Sequence, residues 1–272
     1  MNAIDFNDLN ISFLKKNNLT AVKIIKDGID FYIKLALKEE YRPLVVFSNG
    51  AYDPNRATPP IFMRNSWYPE YEFSSIFIDD RTLHDHSLRI GWGVGTADRH
   101  FLIDYHEIVN RICEIINKDS EDVYYFGSSA GGFMSIYLAT LHKGSTAIAN
   151  NPQTYVTKYN KAAVDRLFKS VFPDQSDEEI KKIYATRFSL VSAMKKYKNT
   201  PRTYYIQNAR CVGDMEKHCK PFMYALKKYK VPSTKIQFMF YNNDKMGHNP
   251  ISKEDTIRMI HSVVKGYMKL NV

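Results

Sequence analysis

Short runs of β-branched and apolar residues recur along this chain, set apart by polar breaks rich in glycine, proline and asparagine. Ala21 to Ile25 and Ile29 to Leu37 are joined at Lys26-Asp27-Gly28, an Asp-Gly signal for a tight hairpin. Leu44 to Phe47 is short and wholly apolar, as a strand buried on both faces must be, and stops at Ser48-Asn49-Gly50-Ala51. A polar loop with Pro54, Pro59 and Pro60 precedes a further strand, Ser75 to Ile78, ending in Asp79-Asp80. Residues 101–117 change period: Leu102, Tyr105, Ile108, Val109, Ile112 and Ile115 fall on one helical face. Val123 to Phe126 and Ser145 to Ala149 return to strand character. Between Asn150 and about Asn199 that character disappears, and helices are expected near 157–171, 177–186 and 189–198, with breaks at Pro173 and Phe188. Strand Thr203 to Ile206, helix 215–229, strand Ile236 to Tyr241 and helix 252–268 complete the pattern. Such alternation predicts a mainly parallel sheet with helices on both faces. One domain over 1–272 is expected, its 150–199 segment a helical cap.

The junction at 122–140 carries the most chemistry. A strand enters Gly127-x-Ser129-x-Gly131, and an apolar stretch from Gly132 to Thr140 leaves it as a helix. That order is the nucleophile elbow of the α/β-hydrolase fold, in which a sharp turn exposes a serine and leaves no room for bulk two residues to either side. A Walker-type phosphate loop is excluded, because no Gly-Lys-Ser/Thr follows. The glycine spacing also disfavours a dinucleotide fingerprint.

A serine hydroxyl becomes a useful nucleophile once an oriented base takes its proton. In this fold the acid and then the histidine follow the serine in chain order. His248, seven residues past Tyr241 and flanked by Gly247 and Pro250, suits the base; His261 falls inside the last helix. Asp214, at the entrance to helix 215–229, suits the acid, its rival reading being a helix N-cap, with Asp244 the competing candidate on the histidine loop. Donors for the developing oxyanion are expected from the backbone N–H of Ala130 and of Gly50 or Ala51. Trp92 and His218 are candidate substrate contacts, and Trp67, Tyr68 and Tyr71 could stack on sugar rings.

Composition narrows the class. The net charge is +9, with 19 Tyr and 16 Phe, so an anionic partner is favoured, whether acidic glycan, phosphorylated cofactor or membrane face. No arginine-rich run, zinc-finger spacing or ribonucleoprotein motif supports nucleic acid. Cys113, Cys211 and Cys219 form no disulfide framework and no zinc spacing, so free thiols and no metal are expected. The first ten residues carry acids where a secretory signal needs positive charge, and no run approaches about 18 apolar residues. A cytoplasmic protein without a transmembrane segment is expected.

Gly127-Ser128-Ser129-Ala130-Gly131-Gly132, the Gln207-Asn208…Asp214…His218 segment and Gly247-His248-Asn249 together resemble the α/β-hydrolase-type O-acetyltransferases of bacterial capsular polysaccharide loci. More distantly they resemble an accessory secretion system component of that fold. The resemblance spans roughly residues 44–265. It implies a Ser129-Asp214-His248 triad, with acetyl-CoA as acyl donor, a carbohydrate acceptor and peripheral association with a capsule assembly complex. Segment 150–199 and loop 52–72 depart from the family and would shape acceptor choice. A carboxylesterase or carbohydrate deacetylase using the same triad, and a non-catalytic assembly or secretion factor, are the alternative readings.

Overall fold

A computed structural model describes residues 1–38, 43–84, 87–266 and 268. Its centre is a nine-stranded sheet, built from β1 (Asn2–Asp5), β2 (Ala21–Lys26), β3 (Ile29–Ala36), β4 (Leu44–Phe47), β5 (Ser74–Ile78), β6 (Val123–Ser128), β7 (Thr146–Asn150), β8 (Arg202–Asn208) and β9 (Ile236–Tyr241). The spatial order is β1-β2-β3-β5-β4-β6-β7-β8-β9. Every pairing is parallel except β2 with β3 and β3 with β5. Swapping β4 and β5 in space creates the crevice at strand C-terminal ends where open α/β sheets place their ligands. The β2–β3 hairpin turns at Asp27 (φ 48°) and Gly28 (φ 77°), the paired positive angles that an Asp-Gly turn supplies. The sequence pattern did not reveal β1: Asn-Ala-Ile-Asp is too short and too polar to show a period.

Helices α1 (Ile11–Lys16), α2 (Phe101–Ile115), α3 (Ala130–Leu141), α4 (Lys161–Val171), α5 (Asp177–Ile183), α6 (Ala185–Phe188), α7 (Leu190–Tyr197), α8 (Val212–Asp214), α9 (Lys220–Lys228) and α10 (Lys253–Val264) join the strands. The two faces are covered unequally. Phe101, Phe133, Met194 and Phe222, from α2, α3, α7 and α9, lie in the main core. On the other face Ile260 and Val263 of α10 pack with Tyr71 and Phe73, and loop residues Phe62, Trp67 and Tyr68 close over them. Trp67, Tyr68 and Tyr71, expected as sugar-stacking rings, thus help to roof this second core. Residues 150–199 divide as well. α7 packs on α3 and α9 as the crossover helix between β7 and β8, so the added helical layer is α4–α6. Arg187 of α6 fastens it to the loop after β5 through the carbonyls of Val94, Thr96, Ala97 and Arg99. Among the described residues, no helix is long and apolar enough to cross a membrane.

A buried histidine gives this core a pH dependence. His142 is 3% exposed, its Nδ1 paired with the Tyr125 hydroxyl at 2.9 Å and its Nε2 with Ser120 Oγ at 3.0 Å. Burial, reinforced by the neighbouring His106, pushes its pKa from 6.5 down to about 4. Between those values the unfolded chain binds a proton that the folded chain refuses. Stability therefore falls as pH drops from 6.5 to 4 and levels off below, by at most about 3 kcal/mol from this group. Buried His218 and His100 and half-buried His106 are shifted the same way. Thermal melts from pH 7 to 4 should therefore show a decline that His142→Gln makes shallower without abolishing it; an equally steep profile in the variant would assign the effect to the other histidines.

Candidate active site

β6 delivers Ser129 to the C-terminal edge of the sheet on a turn that only small neighbours permit. Ser129 itself has φ 58° and ψ −123°, a conformation rarely tolerated outside glycine. A Cβ on Gly127 would stand 2.2 Å from Gly131 O, and one on Gly131 2.8 Å from Ser48 O. The Gly-x-Ser-x-Gly spacing is thus a steric requirement of strand crossing helix.

The structure brings Ser129, His248 and Asp214 into one hydrogen-bonded row. His248 Nε2 lies 2.8 Å from Ser129 Oγ, and Nδ1 lies 2.7 Å from Asp214 Oδ2. With Nδ1–H donated to the carboxylate, Nε2 carries the lone pair that accepts the serine proton. Burial disfavours the Asp214 charge, but the His248 bond and a Cys211 thiol donor outweigh it and hold the pKa below the usual carboxylate value. Asp214, Cys211 and His248 have ligand-type atoms within 4.8 Å of one another. Burial pushes the Cys211 thiol up, however, so it serves there as a proton-bearing donor. Asp244 takes no part; it is exposed and paired with Arg210 at 2.7 Å.

Four asparagines fix the histidine loop. Asn208 Nδ2 donates to the carbonyls of Asn243 and Gly247, and its Oδ1 accepts the Asn243 N–H. Asn151 Nδ2 reaches the carbonyls of His248 and Asn249, while Asn150 Oδ1 accepts the Ile251 N–H. Asn243 Oδ1 accepts from Lys245 and Met246. Side chains at the ends of β7 and β8 therefore hold the imidazole in position.

Ala130 is the first residue of α3, so its N–H has no carbonyl one turn behind it and is free for an oxyanion. Gly50 flanks the elbow: a Cβ added there would stand 3.4 Å from Ser128 O. Its N–H, though, is covered by Met63 Sδ at 3.2 Å. A thioether is a weak acceptor that a carbonyl oxygen can displace. Ala51 beside it is exposed. Asn49 holds the covering loop, donating to Ile61 O and accepting from Met63 N–H.

Trp92 and His218, expected at the substrate surface, are both buried. His218 is 2% exposed, its Nδ1 accepts the Thr154 N–H at 3.3 Å, and burial pushes its pKa down to about 4. It is a neutral core residue that supports the segment after β7. Trp92 is wholly buried, and its indole N–H donates to Gln153 Oε1. Gln153 in turn is the residue that sequence reasoning missed. Its Nε2 donates to Ser129 Oγ at 3.0 Å and its backbone N–H to Ser129 O at 3.1 Å. The indole settles the amide orientation, since it leaves only the NH₂ end for the serine.

No protein-family model and no curated protein sequence matches the chain. Solved structures match the fold, which is that of the α/β-hydrolases. The capsule O-acetyltransferase of Neisseria meningitidis serogroup A, a histidine-to-alanine variant in complex with CoA, superposes with a TM-score of 0.64 at 12% identity, over 87% of this chain and 95% of that one. The Staphylococcus aureus fluorophosphonate-binding serine hydrolase FphF, substrate bound, gives 0.58 at 12%, over 90% and 97%. The glycosylation-associated Gap123 complex of Streptococcus agalactiae gives 0.63 at 14%, over 91% of this chain and 45% of that one.

Proposed function

We propose that this chain is a serine acyltransferase that moves an acetyl group from acetyl-CoA to a hydroxyl of a bacterial surface polysaccharide. The observation that carries this reading is the row Ser129–His248–Asp214, at 2.8 and 2.7 Å, on a strained elbow. His248 Nε2 takes the serine proton as Oγ attacks the thioester carbonyl, and the oxyanion is held by the N–H groups of Ala130 and Gly50, with Met63 displaced. The C–S bond breaks and the leaving thiolate collects the proton from His248, leaving acetyl-Ser129 and CoA. The acceptor hydroxyl then gives its proton to His248 and attacks the ester; Oγ leaves and is reprotonated. The fold likeness to a CoA-binding capsule O-acetyltransferase supports acetyl-CoA as donor, and the +9 charge suits CoA phosphates or an anionic glycan. The same reading treats 1–272 as one cytoplasmic domain at the edge of a capsule assembly complex.

One observation favours hydrolysis as a second reading. The His248 side chain is 38% exposed, so water can reach the base that would discharge the acyl-enzyme. Mass measurement of the intact protein after incubation with acetyl-CoA tests the shared first step. One added acetyl on wild type and none on Ser129→Ala is expected; no increment on wild type, with hydrolysis of acetyl-CoA also absent, would remove the acyl-enzyme.

A further inference from the structure

Arg64 is a charged group that the steps above leave unused. It sits in the left-handed region (φ 64°) just before a short 3-10 turn, Asn65–Glu70, in the loop that covers the second core. Its guanidinium reaches back to the nucleophile turn, where Nη2 donates to the hydroxyl of Ser128, the residue before Ser129, at 2.9 Å. Its central carbon lies 5.1 Å from the centre of the Phe126 ring and 5.6 Å from that of Trp67. Nε is sealed from solvent and has no acceptor. No carboxylate among the described residues lies in ion-pair reach of it, and burial lowers its pKa only to about 10, so it stays charged at neutral pH. Tyr71, the phenol whose ionisation would favour that charge, is kept un-ionised by its own burial.

A half-buried cation held by one neutral hydroxyl and two ring faces lacks its electrostatic complement. The guanidinium fork matches a planar or tetrahedral oxyanion through paired N–H donors, a match that a lysine ammonium does not reproduce. Arg64 also adjoins Met63, whose sulfur covers Gly50 N–H beside Ser129. An anion on this guanidinium would therefore lie at the border of the reaction site.

We propose that Arg64 and Ser128 form a subsite for an oxyanion, phosphate or carboxylate, carried by one of the two substrates. Naming a substrate as the carrier rests on the acyl-transfer reading; the anion site itself does not. The two sources are the phosphates of the acyl donor and an anionic group on the acceptor sugar.

Calorimetric titration of the full chain with inorganic phosphate, coenzyme A and glucose 1-phosphate separates them. Phosphate should bind wild type, and Arg64→Gln should weaken it about tenfold or more, the scale of a lost charge-assisted hydrogen bond. Loss of coenzyme A affinity alone among the two larger probes assigns the site to the donor, and loss of glucose 1-phosphate affinity alone assigns it to the acceptor. Equal affinities in wild type and Arg64→Gln, or no phosphate binding to wild type, would overturn the subsite. Arg64→Lys keeps the charge without the fork and serves where the glutamine variant does not fold; phosphate binding as tight as in wild type would then count against fork recognition. Acetylation of Ser129 is read separately by mass, so a missing acyl-enzyme with phosphate binding intact would sink the function and leave the subsite standing.

Discussion

Asp214→Asn should lower kcat/KM for p-nitrophenyl acetate by about ten-thousandfold, while Asp244→Asn should stay within about twofold of wild type. The asymmetry follows from which nitrogen of His248 carries the proton. Asp214 Oδ2 lies 2.7 Å from Nδ1, an acceptor that holds the proton there and frees Nε2 to act as base toward Ser129. An asparagine in the same place can present its NH₂ to Nδ1, and the ring proton moves to Nε2, where it faces the serine as a donor. The row keeps its shape and loses its direction of proton flow. Asp244 shares the loop and the charge, but it is spent on Arg210 at the surface. Similar losses in both variants would mean that the acids act through loop stability, and the proposed base would lose its orienting group.

The elements legible in the sequence were those whose geometry is demanded locally. The Asp27-Gly28 hairpin and the Gly127-x-Ser129-x-Gly131 turn each need backbone or space that few residues supply, so composition reveals them. The positions of Asp214 and His248 follow from the order of strands, because this sheet presents its loops at one edge. What the sequence left hidden depends on which way a side chain points once the sheet is covered. Trp92 and His218 have the chemistry of binding residues, but packing turns both inward, where they support segments that touch the site. Met63 covers the Gly50 N–H through a contact 13 residues away in the chain, set by Asn49 holding the intervening loop. Gln153 left one trace: an asparagine-rich Asn150-Asn151-Pro152-Gln153 run that begins on the last residue of a wholly buried strand, at the edge where open sheets bind ligands. Helical period does not separate an added layer such as α4–α6 from the crossover helix that a parallel β7–β8 pair requires, so the expected 150–199 cap takes in both.

That run carries the last prediction. Gln153→Leu should slow labelling of Ser129 by a fluorophosphonate about 10- to 100-fold and cost about 1–3 kcal/mol of stability. Two separate losses are involved. Ser129 Oγ loses the donor that fixes its lone pairs while the proton leaves toward His248, and the Trp92 indole N–H is left buried without an acceptor. A structural role alone would move stability and spare the labelling rate of the folded fraction, so the rate is the discriminating measurement. Trp92→Phe keeps an aromatic ring at this buried position, leaves a small cavity and removes the indole donor, which frees the Gln153 amide to turn its oxygen toward the serine. The oxygen would compete with His248 for the hydroxyl proton, so labelling should slow in this variant too. Because the indole acts through the amide, the two substitutions should not add: Trp92→Phe should change the labelling rate little once Gln153 is leucine. If Trp92→Phe slows labelling by the same factor in both backgrounds, the indole reaches the nucleophile by another route, and Gln153 is not the residue that aims it.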